Sequence, residues 1–261
     1  MRPTAWLLIL IVVTTAGCQF SAVRNPNDPN EVSADRQPIV VKAYMKQMSD
    51  DVISPAVASR RITDEQGKAL MVQGAKDYLK TVHFKNTPPN VVWMVAEAYV
   101  TAHEWERAKP LVEAALKFDT DGDRRVNDIL WLARCEAELG DVAIAMKTAR
   151  DSFSAPPEWK WPILYAVIYE IVPAAERMKP RARIELAQLV KDAIKQHEAA
   201  TGSIEDPVRR DWVALRDFHI SRAWRLVVQL YNAANRPDLA RAAATEATAK
   251  RPHAGTNAIQ A

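Results

Sequence analysis

The sequence contains little glycine and little cysteine, and each shortage excludes a class of protein. Its seven glycines are scattered, and neither G-x-x-x-x-G-K nor G-x-G-x-x-G occurs, so the loops that cradle phosphates are absent and no nucleotide is expected. Two cysteines, Cys18 and Cys135, cannot form a disulfide framework, and a chain of this length can bury a core without one. Cys135 lies in an apolar helical stretch, which predicts a buried thiol.

An excess of charge of one sign is also missing. The formal net charge is +3, and basic residues alternate with acids, so no nucleic-acid surface is predicted. Long hydrophobic runs are absent as well, since residues 6–13 form a run of only eight where a membrane-spanning helix needs about twenty. With Arg2 before this run and small residues leading into Cys18 after it, the segment is typical of a cleaved secretory signal.

The residues Thr15-Ala16-Gly17-Cys18 resemble the lipobox of bacterial lipoproteins. This resemblance implies a signal peptide over residues 1–17 and a Cys18 that carries lipid, including palmitate, as the first residue of the mature protein. It further implies a protein that faces the periplasm and is held on a membrane through this anchor. Gln19 stands where an aspartate would often retain a lipoprotein in the inner membrane, so the resemblance favours the outer membrane.

The chain then divides into a tether, a helical domain and a tail. Residues 18–37 have no apolar period and contain repeated Asn-Pro and Asp-Pro steps, which predicts a flexible tether. Residues 253–261 are similarly unpatterned and are expected to fray. Between them, residues 38–252 show apolar positions three and four apart, which predicts an all-helical domain. The predicted helices cover residues 63–82, 89–102, 105–118, 124–139, 142–153, 161–172, 180–200, 207–234 and 238–250.

The helical domain contains an internal repeat. Residues 224–231 read W-R-L-V-V-Q-L-Y, and Ala240 follows nine residues later. Residues 92–99 with Ala108, and residues 129–136 with Ala145, keep the same spacing. The pattern resembles the tetratricopeptide (TPR) repeat, which implies an all-α array of stacked helical hairpins, an α-solenoid. A fourth copy near residue 165 lacks its alanine because Met178 stands there.

The resemblance also implies a binding surface, because stacked hairpins leave a concave face lined by the first helix of each pair. The family's repeat positions place partner-binding residues at Asn90, Trp93, Glu97, Asn127, Leu130, Arg134, Arg222, Arg225 and Gln229. The set is mixed in charge, and it contains no run of lysine and asparagine that would resemble the carboxylate clamp of some members of the family.

Trp159 and Trp161 form the only close pair of tryptophans in the mature chain and stand beside two prolines. That position favours exposure of at least one indole, which could stack on a sugar ring or on a partner's aromatic residue. Cleavage of a glycan would need two acids close together, and sequence spacing prefers no pair among the many glutamates.

No metal site is predicted. His103-Glu104 and His197-Glu198 begin like the H-E-x-x-H zinc helix, but the second histidine is missing after each, and both are interpreted as surface residues. The acidic turn at residues 119–123 has carboxylates at the spacing of a calcium loop. It lacks the loop's glycine at position six and its glutamate at position twelve, so a solvated turn is the preferred interpretation.

The sequence therefore predicts a lipid-anchored, TPR-like scaffold or adaptor that binds protein partners in the cell envelope. It predicts neither catalysis nor a cofactor. A binder of cell-wall glycan that uses Trp159 and Trp161 is the alternative, and a glycan-cleaving enzyme is a more distant one.

Overall fold

The computed structural model describes residues 25–118, 122–203, 205–207 and 209–250. These residues fold into helices and contain no strand, which confirms the all-α prediction. The α-helices are α1 Gln37–Gln47, α2 Ser54–Ala58, α3 Asp64–Thr81, α4 Val92–Thr101, α5 Trp105–Leu116, α6 Gly122–Glu138, α7 Val142–Asp151, α8 Ile163–Ala166, α9 Val172–Met178, α10 Arg183–Ala199, α11 Arg210–Ala233 and α12 Pro237–Lys250. The described part of the chain includes no helix that is both long and apolar enough to span a bilayer.

Two π-helical turns interrupt the regular helices. Met48–Ile53 joins α1 to α2, and Val167–Ile171 joins α8 to α9. The helix predicted to end at residue 172 therefore continues to Met178. Pro173 follows directly after the π turn and does not end the helix, although it cannot donate a hydrogen bond to the preceding turn.

Three helix pairs, α4 with α5, α6 with α7 and α11 with α12, are joined by the same turn. In each pair one residue after the first helix adopts the left-handed conformation: His103 (φ 54°), Gly140 (φ 91°) and Asn235 (φ 57°). The following residue donates its N–H back to the carbonyl five residues earlier: Glu104 to Tyr99 (2.9 Å), Asp141 to Glu136 (2.8 Å) and Arg236 to Tyr231 (2.9 Å). This is the Schellman arrangement, and such a short link makes consecutive helices antiparallel.

The alanines singled out by the repeat lie between the helices of these pairs. Ala108, Ala145 and Ala240 are all buried. Small side chains at these positions let the two helices of a pair approach closely, and the pairs α4/α5 and α6/α7 also contact each other through α5 and α6. The nine-residue spacing read from the sequence therefore corresponds to equivalent positions in space.

The core runs through the whole set of helices. Its largest part joins α6, α7 and the helices from α8 to α12, and two smaller clusters join α1 and α3 to α4, and α4 to α5 and α6. Cys135 lies in the last of these clusters and is fully buried, as predicted. Burial raises the pKa of its thiol to about 12, so the side chain behaves as a small apolar group.

The N-terminal tether predicted for residues 18–37 is too long. Residues 25–37 lie against the link after α3, and Gln37 is fully buried at the start of α1. The sequence lacks an apolar period here because side-chain amides, not apolar residues, make the contact. The predicted signal, Cys18 and the tail of residues 253–261 lie outside the described residues.

Candidate binding site

Two cavities of about 280 and 650 Å3 lie side by side, because both are lined by Met71, Glu97 and Thr101. We call their combined surface the trough. Its walls come from α1, the π turn Met48–Ile53, α3, α4, α6 and the segment from α8 through the following π turn, with His103 from the link after α4. Neither α5 nor α7 contributes a residue to it. The first helices of the pairs α4/α5 and α6/α7 thus line the trough, and the second helices lie away from it.

Ion pairs hold most charged side chains of the trough in place. Glu97 accepts a hydrogen bond from Lys42 Nζ at 2.7 Å, and Glu170 lies 3.3 Å from Arg134. Lys68 has no carboxylate partner within the part of the chain that the structure describes. The trough therefore presents fixed polar groups and one uncompensated lysine.

Arg134 also contacts two rings, one that lines the trough and one on α5 behind it. Its Nη2 lies 3.3 Å from His103 Nε2, and its guanidinium lies 4.9 Å from the centre of the Trp105 ring. Desolvation and the positive charge of Arg134 lower the pKa of His103, so the imidazole is neutral at pH 7. A neutral ring can accept the hydrogen bond from Arg134 through Nε2.

The opposite wall is aromatic. Tyr165 is 50% exposed, and its ring lies 4.6 Å from that of Tyr169. The Tyr169 hydroxyl lies 3.3 Å from His219 Nδ1, and the Arg222 guanidinium lies 4.7 Å from the Tyr169 ring. Burial and the nearby charge of Glu170 raise the pKa of Tyr165, so its hydroxyl stays protonated at neutral pH.

The aromatic wall continues onto α11. Leu215 and Phe218 are about half exposed and lie two turns and one turn, respectively, before Arg222 along the same face. His219 joins this face to Tyr165, with 5.8 Å between their ring centres. Large apolar side chains rimmed by polar ones are typical of an interaction surface.

The structure brings some predicted partner-binding residues to the trough and leaves others outside it. Glu97 and Arg134 line it, and Arg222 flanks its aromatic wall. The Trp93 ring is half-buried between Lys42 at 4.3 Å and Arg124 at 3.3 Å. The remaining polar positions are surface residues that line neither cavity: Asn90, Asn127, Arg225 and Gln229.

Leu130 is wrong as a partner-binding residue, because it is only 3% exposed and belongs to the main core. The helix that runs from α8 through the π turn Val167–Ile171 to α9 packs against α6. The family's repeat position would have left that face open.

The expected exposure of Trp159 or Trp161 is not found. Both side chains are half-buried. Trp159 packs against the main core, and the Arg209 guanidinium lies 5.0 Å from its ring. An indole whose face is already covered by a cation offers little area for stacking on a sugar.

The surface interpretation of His197 is also wrong. This side chain is fully buried, and Trp212 donates its indole N–H to the imidazole, at 3.1 Å from Nδ1. His103 is the left-handed residue in the turn between α4 and α5. No group of three or more potential metal ligands occurs among the described residues, and residues 119–121 of the acidic turn lie outside them.

The sequence analysis missed the aromatic wall of the trough. Tyr165 and Tyr169 were recognised only as members of a degenerate repeat, and Leu215 and Phe218 were not singled out. Their spacing of three and four residues along helices carried the signal, but the same spacing is found in any buried helix face. No family model matches the chain, and no curated protein is similar to it in sequence.

Proposed function

We propose that the protein is a lipid-anchored, TPR-like adaptor that binds a segment of a protein partner in the trough. It would face the periplasm, held through a lipidated Cys18 at the outer membrane. It would act by binding, without catalysis or a cofactor. The observation that carries the proposal is the half-exposed aromatic and aliphatic wall of Tyr165, Leu215 and Phe218 beside a trough of fixed polar groups.

The repeated turn supports the TPR-like part of the proposal. Three helix pairs share a left-handed residue at the same position, the same backbone hydrogen bond and a buried alanine nine residues after the acceptor carbonyl. A repeat of this kind positions the first helices side by side, which creates an extended concave surface. The trough is lined by such first helices, with α3 along one side.

The shape and chemistry of the trough support a peptide as the ligand. Its larger cavity of about 650 Å3 accommodates several side chains, and its aromatic wall offers apolar contact area. Fixed groups such as Glu97, Arg134 and Gln73 can bind the peptide groups of an extended chain or the polar face of a helix. Glu97 and Glu170 are paired with Lys42 and Arg134, which favours one arrangement of these polar groups along the trough.

Site-specific photocrosslinking in intact cells tests the proposal. A crosslinking amino acid replaces Tyr165 in the trough or, as the matched control, Ile144 on α7. The two side chains are 50% and 51% exposed, but α7 contributes nothing to the trough. We expect a discrete protein adduct from position 165 that position 144 does not give, and we expect a Cys18→Ser form to lose it.

Three outcomes would contradict the proposal. The first is no adduct from position 165, the second is the same adducts from both positions, and the third is crosslinking from position 165 to wall glycan alone. Retention of the adduct in the Cys18→Ser form would separate the binding function from the lipid anchor and refute the anchoring part.

A further inference from the structure

Residues 25–36, which we call the strap, are fastened to the link after α3 by side-chain amides. The Asn30 amide donates to the Thr81 carbonyl at 2.8 Å and accepts from the His83 N–H at 2.8 Å. At the strap's end, the Gln37 amide donates to the His83 carbonyl at 2.8 Å and accepts from the Lys85 N–H at 3.0 Å. The two amides thus bridge successive peptide groups of one extended segment.

Further contacts fix the strap along its length. Lys85 Nζ donates to the carbonyls of Asn30 at 3.2 Å and Val32 at 2.6 Å. Pro29 is buried, and Gln37 is fully buried. These hydrogen bonds satisfy backbone groups of the link after α3, so the strap belongs to the folded body and the free chain begins before it.

The remaining chain is too short to let the body turn freely. Only residues 19–24 separate Cys18 from Asn25, and the seven steps between their Cα atoms span at most about 25 Å. Without the strap, the nineteen steps from Cys18 to Gln37 would reach about 65 Å. The strap therefore shortens the usable tether by more than half.

We propose that the strap holds the α1–α3 end of the body against the phospholipid bilayer, so that this end is the membrane-facing surface. The inference rests on the proposed lipid anchor at Cys18. Residues of this end also form the first part of the trough, including Lys42 and Lys46. The trough consequently opens near the bilayer, and α12 lies at the far end of the series of packed helices.

The bilayer contact does not require anionic lipid. The exposed or half-exposed charges of the strap and its surroundings are of both signs: Asp28, Glu31, Asp35, Arg36, Lys80 and Lys85. Tether length, not attraction to headgroups, sets the orientation. It should therefore persist on vesicles of zwitterionic phosphatidylcholine.

A distance measurement on such vesicles tests the inference. The mature chain from Cys18 onward is coupled through this thiol to a maleimide lipid, since Cys135 is buried and stays unreacted. A bioorthogonal dye is placed at Lys80, at the end of α3, or at Arg241 on α12, both of which are exposed. With acceptor dye on the headgroups, we expect several-fold stronger energy transfer from position 80 than from position 241.

Two variants examine the cause of the orientation. Asn30→Ala removes one amide bridge and should reduce the contrast between the two positions. Asn27→Ala is the control and should retain the contrast, because the exposed Asn27 side chain makes no hydrogen bond to the body. Insertion of about twenty Gly and Ser residues before Asn25 leaves the strap intact and should abolish the contrast, because it raises the average span of a flexible tether from about 15 Å to about 29 Å. Circular dichroism checks that each variant is folded.

Equal energy transfer from both positions in the unmodified chain would overturn the inference, and so would a contrast that survives the inserted linker. Because the lipid is attached chemically, neither result depends on lipidation in cells. Metabolic labelling with palmitate, compared with the Cys18→Ser form, tests the anchor separately. A labelled protein with no contrast would refute the orientation alone, whereas an unlabelled protein would refute the anchor and, with it, the orientation in cells.

Discussion

The turn shared by three helix pairs makes a quantitative prediction at Gly140. Its φ of 91° lies in the left-handed region, where a residue with a Cβ costs roughly 1–2 kcal/mol. A Cβ at this position would lie 3.5 Å from Met178 Cε, which is ordinary contact, so crowding adds nothing. Because alanine also stiffens the unfolded chain, which recovers about 0.4–1 kcal/mol, we expect Gly140→Ala to lower the free energy of unfolding by about 1 kcal/mol.

Urea unfolding followed by tryptophan fluorescence measures this loss, and thermal unfolding should show a decrease in Tm of about 2–4 °C. Asn235 occupies the equivalent position after α11 with φ 57° and already bears the strain. Asn235→Gly should therefore be neutral or should stabilise by up to about 1 kcal/mol. Unchanged stability in Gly140→Ala, or a clear loss in Asn235→Gly, would refute the equivalence of the turns.

Three other predictions concern the core and the trough wall. The Cys135 thiol, whose pKa burial raises to about 12, should react with a disulfide reagent in a Cys18→Ser form only after denaturation, and rapid native labelling would contradict its burial. Desolvation lowers the pKa of His219 in the folded state, so the unfolded chain binds more protons than the folded one near pH 6.5. The urea midpoint should therefore decrease as the pH is lowered from 7.5 to 5.5, and it should decrease less in His219→Asn. The raised pKa of Glu136 acts in the opposite direction. Ala145→Leu should destabilise by about 1–3 kcal/mol through overpacking, whereas the same change at the exposed Ala143 should leave the urea midpoint almost unaltered.

Local chemical signals predicted much of the helical framework. Thr63 and Gln66 form the reciprocal capping box read from the sequence, with hydrogen bonds of 3.2 and 2.8 Å. Gly140 ends its helix in the left-handed conformation, as a glycine just past an apolar stretch indicates. Such signals depend on a few neighbouring residues, so a single sequence reveals them.

Features that depend on distant partners were not predictable. The strap looked like a tether because Asn30 and Gln37 are typical of loops, and their bridging role depends on a link about fifty residues away. Burial of His197 depends on Trp212 of another helix. The trough illustrates the same limit, since Glu97 and Arg134 were placed in it by repeat position while Leu130 of the same set is buried.

The aromatic wall of the trough lies where the repeat is broken. In the three regular pairs a buried alanine lets the second helix pack closely on the first. In the degenerate fourth copy the residue at the same spacing is Met178, which ends α9 and is half exposed. The helix that bears Tyr165 and Tyr169 contains the π turn Val167–Ile171, and such turns are frequent at functional sites because they displace side chains from the regular register. If this degenerate copy served only for packing, its tyrosines should be buried, as the apolar residues of the regular pairs are. Departure from the local pattern together with a half-exposed Tyr165 is therefore the combination that favours the proposed binding site over a structural spacer.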